Sequence, residues 1–341
     1  MSLANAFDSA DLLRFDQHIM NQLARNEPLG YVCELKIDGV SIALIYRQGF
    51  LVQALTRGDG LVGEDVTHNV KMIADIPGKI PYQKEVEFRG EIYLNHQVFQ
   101  QLNDQSDQRF ANPRNAAAGT LRQLDAQVVK NRRLNAFFYA LVRPLAHGLA
   151  TQKEVLKFIK NQGLPTEPHA RLAVGIKAAI EQTEKLAATA RKLAYDTDGV
   201  VVKVNDLNLY EDIGQTAKYP KSMIAYKFAE EVGQTKLEAI FPTIGRTGRV
   251  TYNAKLEPIR LAGTTVSAAT LHNADYVRER KINVGDIVKV KKSGAIIPRV
   301  LGVALSHDKK RCNVRAVKRV FYGWMAKLIS TVLTLIVLLA Y

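Results

Sequence analysis

A lysine and two carboxylates share one face of an apolar segment near the amino terminus, "CELKIDG". Side chains alternate between the two faces of a β-strand, so Glu34, Lys36 and Asp38 point to the same side. The leucine and isoleucine between them point to the opposite side. A lysine amine is a nucleophile once it has lost its proton. This face therefore fits either the lining of a nucleotide cleft or an ordinary solvated strand surface.

Three later segments also carry charged side chains within otherwise apolar sequence. Glu91 lies in "EFRGEIYL", Lys203 in "DGVVVKV" and Lys227 in "AYKF". A buried lysine is costly unless it is paired or neutralised, so each of these lysines has a structural partner as its plainest explanation. Three lysines and a glutamate in the strands of one domain also suit a pocket for a phosphorylated ligand.

The elements that must position these side chains form a mixed α+β unit. Runs of β-branched and aromatic residues predict strands at 31–37, 40–46, 50–56, 86–94, 134–142, 198–206 and 222–229. Helical spacing of apolar residues predicts helices at 96–104, 151–162 and 176–194. An earlier helix is predicted to begin at a cap formed by Asp8 or Ser9. Its predicted apolar face comprises Leu12, Leu13, Phe15 and Ile19.

Three positions within this unit have structural explanations. "RQG" predicts a hairpin turn between the strands 40–46 and 50–56. Gly90 interrupts a strand, which indicates a bulge or a close approach of another backbone. Cys33 adjoins Glu34 but faces away from it on an alternating strand, so we expect a small core residue.

The composition changes near residue 232. From there to about residue 305 the apolar segments are short, rich in threonine and valine, and separated by turns. This pattern predicts a small barrel or sandwich. Basic side chains outnumber acids there, and they include Arg246, Arg249, Lys289, Lys291, Lys292 and Arg299.

Net charge and cysteine content limit the class of protein. The formal net charge is +14, which suggests a polyanionic partner without specifying any chemistry. Two cysteines are too few for a disulfide framework or a cysteine-rich zinc site. The amino terminus lacks the architecture of a signal peptide. We therefore expect a cytoplasmic protein.

The segment 306–341 fits neither preceding unit. It begins with a basic run and ends in an apolar stretch, 328–341, that contains no charged residue. As a helix rising about 1.5 Å per residue, that stretch is too short to cross a bilayer, but counting from Val320 extends it across Lys327. Membrane contact through a tail anchor and an appendage from an altered reading frame both remain open.

Several motifs resemble those of known enzymes in order and spacing. "KIDG", "EFRGEIYL", "DGVVVKV" and "AYKF" resemble the motifs of covalent nucleotidyltransferases, the nucleic-acid ligases and capping enzymes. "TRGDGLVGEDVTHN", "FANPRNAAAGTLRQLD", "GRTG" and "VSAATLHNAD" resemble the NAD-dependent bacterial DNA ligases specifically. The resemblance implies an ATP-grasp-like nucleotidyltransferase adenylation domain of antiparallel sheets and helices at 1–231. A small OB-fold β-barrel at 232–305 and an atypical tail at 306–341 follow.

The resemblance also implies a role for each matching residue. Lys36 is the nucleophile that forms a lysyl-AMP adduct, and Asp38 assists it through contacts to the ribose, the metal or the lysine. Glu34 recognises adenine, and Glu91 holds the ribose and is a candidate ligand for Mg²⁺. The remaining nucleotide contacts are Ser2 and Leu3 at the border, Arg57, and Lys203 and Lys227 at phosphate. The expected contacts to DNA are Arg114, Arg122 and Arg246.

The implied activity is sealing of 5′-phosphate/3′-hydroxyl nicks in duplex DNA by a monomer that uses NAD⁺ and Mg²⁺. The family's amino-terminal nicotinamide mononucleotide-binding domain and its carboxy-terminal zinc, helix-hairpin-helix and BRCT domains have no counterpart here. We therefore expect impaired self-adenylation with NAD⁺, while sealing of a nick that already carries AMP survives better. A catalytically inactive relic that binds nucleotide or nicked DNA, and an ATP-dependent ligase-like nucleotidyltransferase, are the alternatives.

Overall fold

The computed structural model describes residues 3–58, 63–105, 109–228, 231–245, 248–261, 264–292 and 298–307. The chain forms two compact units, Met1–Ala229 and Glu230–Tyr341. Each unit has its own hydrophobic core within the described residues: two clusters of buried side chains in the first, and one in the second.

The first unit contains two sheets flanked by helices. Its strands are β1 (Ala4–Ala6), β2 (Gly30–Ile37), β3 (Val40–Arg47), β4 (Phe50–Thr56), β5 (Val86–Tyr93), β6 (Asn135–Leu141), β7 (Arg171–Val174), β8 (Thr197–Val204) and β9 (Met223–Lys227). Its α-helices are α1 (Ser9–Gln22), α2 (Thr67–Val70), α3 (His96–Asp104), α4 (Pro113–Leu121), α5 (Ala126–Asn131), α6 (Gln152–Asn161), α7 (Ile176–Ala190) and α8 (Tyr210–Ile213).

One sheet has the strand order β1-β9-β8-β2-β7 and the other the order β4-β3-β5-β6. β1 runs parallel to β9, and the other neighbours in these two sheets are antiparallel. The order places β2, β8 and β9 side by side, and these strands carry Lys36, Lys203 and Lys227. The predicted α+β class with mainly antiparallel sheets is confirmed.

Alternation along β2 separates the core from the opposite face as predicted. Cys33 and Leu35 belong to the core cluster that also contains residues of α7, and Cys33 is fully buried. The Cys33 thiol lies 3.6 Å from the carbonyl oxygen of Ala179 on that helix. Burial raises the pKa of the Cys33 thiol to about 12, which keeps it an inert, protonated core group.

Helix α1 shows where the predicted apolar face was too wide. Asp8 is the N-cap, and its side chain accepts a hydrogen bond from the backbone of Asp11. Leu12 and Ile19 are buried, but Leu13 is 45% exposed, so its assignment to the core was wrong. Leu13 follows Leu12 by one residue, about 100° around the helix, which carries it outside the buried stripe.

Glycine conformation explains two local features of the four-stranded sheet. Gln48 and Gly49 have positive φ angles of 49° and 79°, so the predicted turn between β3 and β4 is a two-residue hairpin loop. At Gly90 the register of β5 against β6 shifts, and an added Cβ would lie 2.3 Å from the carbonyl oxygen of Phe137. The predicted bulge or close approach is confirmed.

The second unit is a closed barrel. Its strands are β10 (Val232–Ile244), β11 (Val250–Leu261), β12 (Thr264–His272), β13 (Ile287–Lys291) and β14 (Arg299–Leu305), and α9 (Ala274–Glu279) lies between β12 and β13. The barrel order is β10-β11-β12-β14-β13. Leu237, Val288 and Val290 are fully buried in its core. Closure decides the prediction in favour of a barrel rather than a sandwich, and five strands agree with an OB-fold.

Among the described residues, none of the helices has the length and apolar character needed to cross a membrane. The apolar stretch 328–341 lies outside the described residues. The tail-anchor hypothesis therefore stays a prediction.

The close approach at Gly90 predicts a specific cost for an added methyl group. In Gly90→Ala the Cβ would meet the Phe137 carbonyl oxygen at 2.3 Å and the Phe138 ring at 2.6 Å, so β5 and β6 must move apart. We expect a loss of about 2 kcal/mol in the free energy of unfolding, measured by urea denaturation followed by circular dichroism.

Gly78→Ala is the matched control, because an added Cβ there would have no heavy atom within 4 Å. We expect its free energy of unfolding to stay within about 0.5 kcal/mol of the unmutated protein. Equal effects of the two substitutions would contradict the close approach.

Candidate active site

The first unit encloses a cavity of about 1170 Å³. It is lined by most of the residues that the sequence singled out. These are Leu3, Glu34, Lys36, Arg57, Glu91, Arg114, Lys203 and Lys227. Asp38 and Arg122 do not contribute to the cavity wall. Ser2 and Arg246 lie outside the described residues.

Two lysines meet at the level of Gly199. In the register of the sheet, Lys36 on β2 and Lys227 on β9 both lie opposite Gly199 on β8. An added Cβ at Gly199 would come within 2.1 Å of the carbonyl oxygen of Tyr226. A side chain at this position would force β8 and β9 apart, so glycine keeps the two lysines on adjoining strands.

Asp198 binds both of these lysines. The Lys36 amine donates to Oδ2 of Asp198 at 3.0 Å, and the Lys227 amine donates to the same oxygen at 2.6 Å. The three side chains are 21 to 28% exposed, so they face the cavity while remaining largely shielded from solvent. A single carboxylate therefore holds two ammonium groups side by side.

No role was predicted for Asp198 from the sequence. Strict alternation along β8 would send its side chain to the core face. Lys36 pairs with Gly199 and Ile37 pairs with Thr197, so Asp198 is the extra residue of a β-bulge. Bulges re-aim side chains and are frequent beside active sites. The signal present in the sequence was the Asp-Gly pair at the start of a lysine-bearing strand.

Asp38 does not share the strand face of Glu34 and Lys36, contrary to the prediction. β2 ends at Ile37, so Asp38 lies in the turn to β3 and alternation does not apply to it. Its backbone N–H donates to the carbonyl oxygen of Asp196 at 2.9 Å. Its carboxylate accepts a hydrogen bond of 2.8 Å from Arg114, which lines the cavity. This turn therefore joins β2 to the arginine of α4.

Glu34 and Lys203 form a second, more deeply buried pair. Their amine and carboxylate are 2.8 Å apart, and the two side chains are 7% exposed or less. The Glu34 carboxylate also accepts a hydrogen bond of 2.9 Å from Gln152. Lys203 lies four residues along β8 from Gly199, a separation of about 13 Å at 3.3 Å per residue. The cavity thus has two charged ends rather than one cluster.

Glu91 on β5 has an unusual electrostatic environment. Burial raises the pKa of its carboxyl group to about 7, and the hydrogen bond from Ser41 opposes that shift. The Ser41 hydroxyl donates to Glu91 Oε1 at 2.6 Å. The positive charges of Lys36 and Arg114 also oppose the rise in the pKa of Glu91, whereas the negative charge of Asp38 adds to it. Glu91 therefore lies close to both Lys36 and Arg114.

Arg122 lies in a different setting. Its guanidinium donates to Glu64 at 2.7 Å, and both side chains are more than half exposed. An exposed pair of this kind contributes little to stability. Arg122 is therefore available at the surface, whereas Arg114 is part of the cavity wall.

Each of the two units matches a known family of protein domains. Residues 1–231 match the adenylation domain of NAD-dependent DNA ligase, and residues 234–312 match the OB-fold domain of the same enzyme. The chain belongs to the NAD-dependent DNA ligase family. The cavity thus lies in the family's adenylation domain, and the closed barrel corresponds to its OB-fold domain.

Curated relatives are DNA ligases of similar sequence. The DNA ligase of Spiroplasma citri is 50% identical over 317 residues, which cover 92% of this chain and 47% of that protein. The DNA ligase of Malacoplasma penetrans is 46% identical over 303 residues, covering 88% of this chain and 43% of that protein. The chain therefore spans about half the length of the curated relatives it matches.

Few side chains in this site could coordinate a metal ion. Among the described residues, no group of three histidine, cysteine, aspartate or glutamate side chains is arranged to hold a metal. Mg²⁺ is usually held by one or two carboxylates together with substrate phosphates. Glu91 and Asp38, whose charges interact, fit that smaller requirement.

The raised pKa of Glu91 predicts how stability depends on pH. The folded protein holds this proton up to about pH 7, whereas the ordinary carboxyl value is 4.5. The unfolded chain thus releases the proton first, and the stabilising effect of the protonated group is lost as the pH rises from 4.5 to about 7. Glutamine cannot ionise. The free energy of unfolding of Glu91→Gln, relative to that of the unmutated protein, should therefore increase by about 2 kcal/mol as the pH rises from about 5 to about 8.

The measurement is the free energy of unfolding in urea across this pH range. Glu85→Gln serves as the control for loss of a surface carboxylate, since Glu85 is 63% exposed and pairs with Arg47. A difference between Glu91→Gln and the unmutated protein that does not change with pH would refute the assigned environment of Glu91.

Proposed function

We propose that this chain joins nicks in duplex DNA through a lysyl-AMP intermediate on Lys36, with NAD⁺ as the adenylate donor. The observation that carries the proposal is the placement of the Lys36 amine beside Asp198 and Lys227, on the wall of a cavity large enough for a nucleotide. Membership in the NAD-dependent DNA ligase family supports the donor.

The two charged ends of the cavity suggest how a nucleotide lies in it. We assign the base to the Glu34–Lys203 end and the α-phosphate to the Lys36–Lys227 end. The family resemblance implied a phosphate contact for Lys203, but the ion pair of Lys203 with Glu34 and its distance along β8 from Gly199 favour the base. Glu91 lies near Lys36, which agrees with its expected contact to the ribose. Leu3 and Arg57 border the same cavity.

The first step forms a bond between the Lys36 nitrogen and the α-phosphorus of NAD⁺. The bond from that phosphorus to the oxygen of nicotinamide mononucleotide breaks, and the mononucleotide leaves with the electron pair. The Lys36 ammonium first gives one proton to Asp198, 3.0 Å away, which frees the nitrogen lone pair for attack. A second proton leaves the nitrogen for solvent once the nitrogen–phosphorus bond has formed. The Lys227 cation stabilises the negative charge that develops on the phosphate oxygens.

Two further steps complete nick sealing. The 5′-phosphate oxygen of the nick attacks the phosphorus of the adduct, and the bond to the Lys36 nitrogen breaks. That nitrogen keeps the electron pair and takes back a proton. The 3′-hydroxyl oxygen then attacks the activated 5′-phosphate and loses its proton, while the bond from that phosphate to AMP breaks and AMP leaves with the electron pair. Glu91 and Asp38 would hold Mg²⁺, which supplies additional charge neutralisation at phosphate when it is bound.

We propose that the barrel contacts the phosphate backbone of nicked DNA and that the protein works as a monomer. Arg249, Lys289 and Arg299 are exposed on the barrel. Contacts of this type give affinity without sequence preference and weaken with salt. Arg122, exposed in the first unit, and Arg246 complete the expected set of DNA contacts, and Arg114 joins them once its bond to Asp38 opens.

Labelling with NAD⁺ tests the adduct directly. The protein is incubated with Mg²⁺ and NAD⁺ labelled in the adenylate phosphate, and denaturing electrophoresis then shows whether label stays on the chain. We expect label on the unmutated protein and none on Lys36→Ala, because Lys36 is the proposed nucleophile and Lys227 is assigned to charge stabilisation at the phosphate. Lys130→Ala removes an exposed lysine of α5 and should keep the label.

A parallel incubation with labelled ATP tests the alternative donor. Label from ATP alone would overturn the assignment of NAD⁺. Absence of label from both donors, together with normal binding to nicked DNA, would support the inactive relic.

Substitution of Asp198 tests the carboxylate that the sequence analysis missed. Asp198→Asn keeps the shape of the side chain but removes the charge that holds Lys36 and Lys227 and the acceptor for the Lys36 proton. We expect the rate of adduct formation to fall by about 100-fold, a typical loss for a positioned acid–base group. Asp196→Asn is the matched control two residues away, where the side chain pairs with His96 at 42% exposure.

The measurement is the time course of label incorporation from NAD⁺. We expect Asp196→Asn to stay within about threefold of the unmutated protein, as for a group outside the reacting centre. Equal rates for Asp198→Asn and the unmutated protein would remove Asp198 from the mechanism.

A further inference from the structure

Gln152 belongs to a closed hydrogen-bond network at the base end of the cavity. Its side-chain amide donates to Glu34 Oε1 and to the carbonyl oxygen of Tyr139, both at 2.9 Å. The Lys203 amine contacts the same two acceptors, at 2.8 Å and 3.2 Å. Two donors and two acceptors therefore close a ring, and Gln152 lines the cavity.

The orientation of the Gln152 amide is fixed by its partners. Both neighbours are acceptors, so the NH₂ group must face them. The residue is 4% exposed and is the first residue of α6. Its backbone N–H donates to the carbonyl oxygen of Asn205 at 2.8 Å, and Thr151 with Glu154 forms a capping box at the same helix end. Hydrogen bonds of the backbone and of the side chain thus both restrain the position of the amide.

This network fixes how the Glu34 carboxylate presents itself to a ligand. Both donors bind Oε1, and across the described chain no further hydrogen bond reaches the carboxylate. The second oxygen, Oε2, keeps its lone pairs for a group in the cavity. Without Gln152, Lys203 alone would hold Glu34, and the carboxylate would rotate more freely about its side-chain torsions.

We propose that Gln152 is a positioning residue that sets the base selectivity of the cavity, favouring a 6-amino purine over a 6-oxo purine. The inference rests on the proposed function, in which Glu34 faces the base. A fixed carboxylate oxygen accepts a hydrogen bond from an exocyclic amine. An oxo group in the same place would put two acceptors in contact, and a buried polar group left unpaired in this way is strongly disfavoured.

The test compares binding of AMP and IMP, which differ in the group at position 6 of the purine. Gln152→Leu keeps a similar volume and removes both donors. Gln162→Leu is the matched control, because Gln162 lies just beyond the other end of α6, is 8% exposed and does not contact the cavity. The dissociation constants are measured by isothermal titration calorimetry on the full chain, with thermal melting of the ligand-free variants as a check of folding.

We expect the unmutated protein and Gln162→Leu to bind AMP roughly 100-fold more tightly than IMP, as for a site built around one hydrogen-bonding group. In Gln152→Leu that ratio should fall by roughly tenfold, the effect of one charge-assisted hydrogen bond on the position of Glu34. If Gln152→Leu does not fold, Gln152→Met gives the same information. Methionine keeps the unbranched length of the side chain and also lacks both donors.

Other results overturn the inference. A loss of affinity for AMP and IMP by the same factor in Gln152→Leu would reduce Gln152 to a structural role. An unmutated protein that binds AMP and IMP equally would have no base selectivity for Gln152 to set. If the unmutated protein bound neither nucleotide and formed no adduct, the proposed function itself would fail. Adduct formation combined with equal ratios in all variants would overturn only the role of Gln152.

Discussion

Ammonium groups shielded from water need carboxylate partners, and this requirement shapes the cavity of the first unit. Asp198 is the carboxylate partner of Lys36 and Lys227, and Glu34 is the carboxylate partner of Lys203. An unpaired ammonium in these places would oppose folding, because removal of a charge from water is costly. The same pairs hold three amines at defined positions, so the arrangement that permits burial also pre-orders the site.

The two sheets supply the rigidity that such an arrangement needs. β2, β8 and β9 are adjacent in one sheet, and the register that places Lys36 and Lys227 opposite Gly199 is fixed by core side chains on the other face. β5 in the second sheet contributes Glu91 to the cavity wall. Functional groups carried on paired strands are held more closely than groups carried on loops.

The charge distribution within the cavity fits an anionic ligand with a polar base. Cationic side chains at the Asp198 end are matched by carboxylates in the free protein, so a phosphate that enters there exchanges one anionic partner for another. The Glu34 end is more deeply buried and presents a carboxylate already bound on one oxygen. Within the proposed function, affinity arises at the first end and selectivity at the second.

The sequence determined many local features of this protein: seven of the nine strands and four of the eight α-helices that the structure describes in the first unit, the burial of Cys33 opposite Glu34, the close approach at Gly90 and the motifs of the family. These follow from alternation, helical spacing and glycine conformation, which act over a few residues. The tertiary structure decided which side chains pair with Lys36 and Glu34. Asp198 is 162 residues from Lys36, and Gln152 is 118 residues from Glu34. A bulge re-aimed Asp198 against the alternation of its strand, and no local pattern encodes which distant side chain meets which.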